Sequence, residues 1–241
     1  SHIMNKFINS FNHMASELGS VEMLRNDFIN NLSHEFKTPI VSVSGFARML
    51  RRDDLTPEER DEYLDIIIQE SDRLAELSTN ILNLSKIENQ HILTDKQEVN
   101  VSEQIRLAVA LLEKKWSKKN IDIQFDSEEV HVSGNAEMLK QVWINLIDNA
   151  VKFSPEYGTV KIDARQSPDR IEVSVANEGE MSEEAAKHVF DKFYQGDPSH
   201  TEQGNGLGLT IAQKITELHR GTLRAERTTG GYIVFRAAFS K

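Results

Sequence analysis

Leu24, Phe28, Leu32 and Phe36 recur every four residues, and Ile40, Val43, Phe46 and Leu50 carry the same stripe onward. That spacing predicts a helix almost throughout residues 5–52. Asp53, Asp54 and Leu55 break the pattern, and Thr56-Pro57-Glu58-Glu59 follows. Thr56 as N-cap, Pro57 in the first turn and Glu59 reaching back make a capping box. A second helix then carries Leu64, Ile67, Ile68, Leu74, Leu77, Ile81, Leu84 and Ile87 on its apolar face. Two long helices joined by a short turn form a helical hairpin. A lone hairpin cannot bury stripes this long, so the economical solution is two copies pairing into a dimeric four-helix bundle.

Beyond "ENQHILTDKQ" the texture changes. "IDIQF", "TVKIDAR", "RIEVSVA", "GTLRAE" and "YIVFRAAF" alternate apolar and polar residues, as half-buried strands do. Helical stretches are expected between them at 102–115, 135–152, 182–193 and 207–219. The expected fold is an α+β sandwich, one sheet with helices on one face. The domain boundary is placed near residue 92. The chain has 241 residues, enough for one or two domains with a core. A net charge of −10 argues against a nucleic-acid-binding face. The absence of cysteine excludes disulfides and thiolate chemistry. No apolar run approaches the roughly 20 residues that span a bilayer.

Four segments carry chemistry. "NNLSHEFKTPI" sets His34 beside Glu35, with Lys37, Thr38 and Pro39 following, a grouping for which a structural helix has no evident use. "QVWINLIDNAVKF" puts Asn145, Asn149 and Lys152 on one helix face. Asn is a poor helix former, so two on one stripe suggest a task rather than a solvated face. An Asn carbonyl suits Mg²⁺, which keeps waters and phosphates around it, and Lys152 offers a point charge to those phosphates. "EQGNGLGLTIA" places Gly204, Gly206 and Gly208 just before a helix beginning near Leu207. Glycines allow close backbone approach, and a helix start presents free N–H groups to an anion. The polar, turn-rich "FDKFYQGDPSHTEQ" between the two is expected to form a lid.

These motifs, in this order, resemble the cytoplasmic part of a two-component sensor histidine kinase, and the resemblance covers essentially residues 7–241. "FINNLSHEFKTPI" is similar to the phosphoacceptor box, "NLIDNAVKFSP" to the N box, "VFDKFYQGD" to the F box and "GNGLGL" to the second glycine box. Ser1-His2-Ile3-Met4 resembles the scar of a cleaved tag, and "FINSFNHMASELGSVEMLR" looks like the end of a HAMP linker. The implied division is residues 1–20 for tag scar and linker, 21–91 for dimerisation and histidine phosphotransfer, and 92–241 for ATP binding. The implied activity uses ATP and Mg²⁺ to phosphorylate His34, then passes the group to an aspartate of a response regulator. The implied roles are Glu35 as base, Thr38 orienting water for regulator dephosphorylation, and Asn149 with Asn145 holding Mg²⁺. Lys152 would contact phosphate, Phe153 line the adenine pocket, and Gly204, Gly206, Leu207 and Gly208 shape the lid. The resemblance also implies a homodimer whose parent protein is anchored in an inner or plasma membrane. The other seven histidines, His2, His13, His91, His131, His188, His200 and His219, form no ligand spacing and read as incidental.

The first glycine box departs from the family. It reads "NEGEM", with Asn177 for the usual Asp, Gly179 kept, and Met181 for the second Gly; strand alternation turns Glu178 to the other face. Tyr232 and Ile233 replace the usual terminal Gly and Thr. Weaker ATP binding is therefore expected, and the Asn177 amide could flip to accept either adenine or guanine. Two alternatives stay open: a non-catalytic adaptor dimer that docks a regulator, or a dimer acting chiefly as a phosphatase. Simple ATP hydrolysis is disfavoured, because Asn145 stands where related ATPases carry a water-activating glutamate.

Overall fold

The computed structural model describes residues 2–195 and 204–240. The chain divides into two compact units, Ser1–Ser78 and Thr79–Lys241.

Helix α1 spans His2–Met49 and α2 spans Pro57–Glu88, joined by the short turn the sequence predicts. The capping box forms: Glu59 Oε2 accepts from the Thr56 N–H at 2.8 Å, and Thr56 Oγ1 from the Glu59 N–H at 3.2 Å. Arg52 forks onto Asp54 in the turn, and that pairing holds the Asp54 carboxyl below its ordinary range. Phe46 of α1 meets Tyr63 of α2 with ring centroids 5.3 Å apart. Leu24, Ile40, Leu64 and Ile68 remain exposed, so one hairpin alone leaves much of its stripe in water. Pro39 lies inside α1, which continues without interruption for ten further residues to Met49. Lacking an N–H, Pro39 cannot donate to the Glu35 carbonyl one turn back.

The second unit contains β1 (Lys96–Asn100), α3 (Val101–Leu111), α4 (Glu113–Lys118), β2 (Asp122–Ser127), β3 (His131–Asn135) and α5 (Ala136–Phe153). It continues through β4 (Thr159–Gln166), β5 (Arg170–Glu178), α6 (Glu183–His188), α7 (Gly208–Leu218), β6 (Thr222–Arg227) and β7 (Tyr232–Ser240). Five strands form one sheet in the order β2-β4-β5-β7-β6, with β2 parallel to β4 and every other pairing antiparallel. The strands that sequence alternation predicts are all there. A second sheet is added to the one expected: β1 and β3 pair antiparallel, with Val99 opposite Val132.

One face of the large sheet is apolar because alternate residues point the same way. Val160, Ile162, Val173, Val175, Phe235 and Ala237 are buried there, facing Leu139, Trp143, Leu146 and Ile147 of α5 and Ile211 and Ile215 of α7. Trp143 is fully buried, its indole N–H donating to Gln104 Oε1 at 3.1 Å. Burial of each such side chain contributes about 1.5–3 kcal/mol. The opposite face carries charge: Arg236 reaches Glu172 at 2.7 Å, and Arg165 pairs with Asp126.

Two helices are shorter than the periodicity suggests. The helix expected over 102–115 breaks at Leu112, which ends α3 and begins α4. The helix expected over 182–193 stops at His188, and the chain beyond it turns, with Phe193 at a φ of 62°.

Candidate functional site

Helix α5 begins where Asn135 Oδ1 accepts from the Met138 N–H at 3.0 Å. Its apolar stripe faces the sheet, which turns Gln141, Asn145, Asn149 and Lys152 toward its half-buried edge. Asn145 makes two side-chain hydrogen bonds: its amide donates to the Gly208 carbonyl at 2.9 Å and its Oδ1 accepts from Gln141 at 2.8 Å. The side chain expected to help hold a metal also links α5 to the first residue of α7. Asn149, one turn on, has no side-chain hydrogen bond among the described residues, so its oxygen is available to a cation. No group of three His, Cys, Asp or Glu residues that could hold a metal occurs among the described residues. A divalent ion here would draw most of its ligands from phosphate and water, as Mg²⁺ commonly does.

The glycine stretch enters α7. Leu207 occupies the N-cap position without a side-chain cap, so the first amides of α7 are left for a ligand. Asn205, buried, accepts from the Leu207 N–H at 3.2 Å and shapes the turn. Gly206 has a φ of 64°, and a Cβ there would lie 2.7 Å from the Phe193 backbone and 2.8 Å from the Tyr194 carbonyl. Phe193 donates its N–H to the Gly206 carbonyl at 3.0 Å, and Gln195 donates to the Gly204 carbonyl at 2.8 Å. Thr210 Oγ1 donates to the Phe190 carbonyl at 2.8 Å. Three hydrogen bonds therefore bind the segment 190–195 to the start of α7. The remainder of the expected lid, residues 196–203, lies outside the described residues, as does His200.

The Lys152 ammonium lies against Gly204, where a Cβ would displace it, and is 5.1 Å from the centroid of the Phe153 ring. Phe153 is 45% exposed, an apolar surface left facing solvent at the end of α5.

Asn177 is 1% exposed near the end of β5. Its Nδ2 donates to the Glu178 carbonyl at 3.0 Å, while its Oδ1 is buried without a partner. The reversed amide would set Oδ1 against the Glu178 carbonyl oxygen, which disfavours the flip. The site therefore presents an acceptor. A buried acceptor left unmade costs about 1–3 kcal/mol. Glu178 does turn away: its carboxylate accepts from the Thr159 N–H at 3.1 Å and from the Tyr232 hydroxyl at 3.4 Å. Tyr232 in turn lies 4.4 Å beneath the Lys161 ammonium, so the residue replacing the usual glycine belongs to the outer face. Gly179 donates its N–H to the Gly231 carbonyl at 3.1 Å, and Met181 is half-buried just beyond.

In the helical unit His34 is exposed on α1. Glu35 turns inward, where its Oε2 meets Arg73 of α2 at 3.2 Å. Thr38 is exposed one turn on, and its hydroxyl donates to the His34 carbonyl at 3.3 Å.

Sequence reasoning missed several supporting residues. Gln141, Asn205 and Thr210 belong to no expected motif role, and only their neighbourhood to Asn145, Gly206 and Gly208 could have flagged them. His219 is not incidental: its Nε2 accepts from the Asn135 N–H at 3.0 Å and its Nδ1 donates to the Ile215 carbonyl at 2.7 Å. It thereby ties the start of α5 to the end of α7, and burial holds its pKa below the ordinary value. His188 is drawn the other way, since Asp191 at 2.7 Å raises it.

Residues 24–90 match the His kinase A (phospho-acceptor) domain, and residues 134–240 match the family of histidine kinase-, DNA gyrase B- and HSP90-like ATPases. The heme sensor protein HssS of Staphylococcus epidermidis is 33% identical over 215 residues, 88% of this chain and 47% of that protein. HssS of Staphylococcus aureus is 33% identical over 218 residues, 89% of this chain and 46% of that protein. The chain spans about half the length of the curated relatives it matches. Among solved structures, the histidine kinase ThkA in complex with the response regulator protein TrrA aligns with a TM-score of 0.76. It is 27% identical, over 92% of this chain and 63% of that one. With the phospho-acceptor hairpin and the ATP-binding unit both matched, in that order, the chain belongs to the two-component sensor histidine kinases, as their cytoplasmic core.

Proposed function

We propose that this core, as a homodimer, transfers the γ-phosphoryl group of Mg-ATP to a ring nitrogen of His34 and then to an aspartate of a response regulator. The observation that carries the reading is the buried, unpartnered Asn177 Oδ1 in the same unit as the uncapped start of α7. One suits the amino group of adenine and the other suits phosphate. Mg²⁺, when bound, supplies charge neutralisation on the phosphates. Asn149 would hold it through its amide oxygen, with Asn145 keeping α7 in place beside it. Lys152 supplies positive charge to the phosphates, Phe153 covers one side of the base, and Gly204, Gly206 and Gly208 let the backbone come close. His34 is exposed and can act as nucleophile through a neutral ring nitrogen. Glu35, steadied by Arg73, takes the ring proton as general base.

The division of labour follows: residues 21–91 for dimerisation and phosphotransfer, 92–241 for ATP, and 1–20 for a tag scar and linker end. The exposed apolar stripe of the hairpin supports a dimer, and the response regulator in the ThkA complex supports that partner class. No helix among the described residues is long and apolar enough to cross a membrane; anchoring would fall to the parent protein, as the half-length match to sensor proteins suggests.

Incubation with γ-labelled ATP and Mg²⁺ tests the reading. Acid-labile label is expected on the wild type and none on His34→Gln, with the dimer intact in both. Label persisting in the variant moves the acceptor elsewhere; no label on either leaves the adaptor reading standing. A phosphatase activity toward the regulator is supported by the exposed Thr38 hydroxyl one turn from His34.

A further inference from the structure

Lys119 follows α4, and its ammonium donates to three main-chain carbonyls: Val151 at 3.3 Å, Lys152 at 2.7 Å and Ser154 at 3.0 Å. These oxygens sit at the end of α5, where a helix leaves its last carbonyls without internal partners and gathers partial negative charge. Both ends of Lys119 fasten this segment, since its own carbonyl accepts from the Tyr157 N–H at 2.9 Å. Ser154, buried, completes the lock by giving its N–H and hydroxyl to the Ala150 carbonyl at 3.0 and 2.8 Å. A charged group reaching across more than thirty residues to three carbonyls is an elaborate way merely to end a helix.

The turn so held is the one that carries Lys152, whose ammonium lies against Gly204. Two lysines therefore share one helix end. Were Lys119 absent, the negative carbonyl cluster would attract the nearest other cation, and Lys152 is on the same turn. Its flexible stem has the freedom to fold back. We propose that Lys119 is a positioning residue for the nucleotide site: by occupying the carbonyls that end α5, it keeps the Lys152 ammonium directed at the glycine stretch. The inference rests on the reading above that Lys152 meets the phosphates.

A double-mutant cycle on the full chain tests it, with Mg-ATP affinity read by competition against a fluorescent ATP analogue and folding followed by thermal melting. Lys119→Met is expected to weaken ATP binding about tenfold, because a displaced phosphate contact is costly even when the change is remote. In the Lys152→Met background the same substitution is expected to change affinity by less than about twofold, since there is no ammonium left to misdirect. Lys119→Arg, which keeps the donors and the charge, should stay within about threefold of wild type. An equal loss in both backgrounds, or no loss in either, overturns the proposal. If Lys152→Met alone leaves ATP binding unchanged, the phosphate role of Lys152 fails first and this inference falls with it. Should Lys119→Met not fold, Lys119→Gln, which keeps one amide donor, runs through the same cycle with the same criteria.

Discussion

Gly206 and Phe193 meet backbone to backbone: Phe193 donates its N–H to the Gly206 carbonyl, and both residues hold a left-handed φ, 64° and 62°. Phe193 tolerates that strain because Thr210 and Gln195 fasten the segment on either side. Gly206→Ala would add a methyl 2.7 Å from the Phe193 main chain at an unfavourable φ. It is expected to destabilise the second unit by more than about 1 kcal/mol and to abolish measurable nucleotide binding. Denaturant melts and ATP titration check both, and retained affinity would show that the glycine turn is not part of the site.

Asn177→Leu separates stability from binding. The substitution removes a buried acceptor with no partner together with the Nδ2 donation to the Glu178 carbonyl, so the two changes offset and stability should shift by less than about 1 kcal/mol. ATP affinity should fall about tenfold, the effect of one lost hydrogen bond at a desolvated site. The wild type should also prefer ATP to GTP, because the fixed amide oxygen repels guanine O6. Equal affinity for the two nucleotides would mean that the amide turns in solution.

The pH dependence of stability should show His219. Its folded pKa lies below its unfolded value, so the unfolded chain takes up a proton first. The stabilisation is complete above the unfolded pKa of about 6.5 and is lost as pH falls through the lower folded value. Protonation would set an N–H against the Asn135 N–H that starts α5. His188 contributes with the opposite sign, being raised by Asp191 and exposed. The difference between wild type and His219→Gln isolates the effect: the melting temperature of the variant should decline less between pH 7 and acid. Parallel curves would remove His219 from the account.

Thr38→Ala should leave autophosphorylation of His34 nearly intact and slow the loss of phosphate from the regulator. Alanine is at least as good a helix former, so α1 should persist. Both rates falling together would assign the hydroxyl to α1 itself, through its bond to the His34 carbonyl.

The hairpin was legible because its signals are local: a four-residue stripe and a capping box four residues long. The five strands of the large sheet were legible because one face is buried and the other is charged. β1 and β3 were not, since "KQEVN" and "HVSGN" bury one side chain each, Val99 and Val132, and are too short to carry a sustained alternation. In the candidate site, residue type and spacing single out Asn149, Lys152 and the glycines as candidates. The hydrogen bonds of Asn145 and Asn177 are not legible there, because Gly208 lies 63 residues from Asn145 and the Asn177 amide is oriented by a carbonyl that spacing does not reveal. Lys119 looked like any surface lysine until α5 ended beside it.

The parallel pairing of β2 with β4 bears on the order in which the sheet is made. β4 and β5 are neighbours in sequence, separated by the turn at Ser167, and can zip together early. β2 cannot join until the chain has passed through β3 and the whole of α5, so it carries a larger loop-closure cost. It is also an edge strand, with only one neighbour to hold its amides. Native-state hydrogen exchange should therefore find the β2 amides opening well before those of β4 and β5, with α5 releasing last.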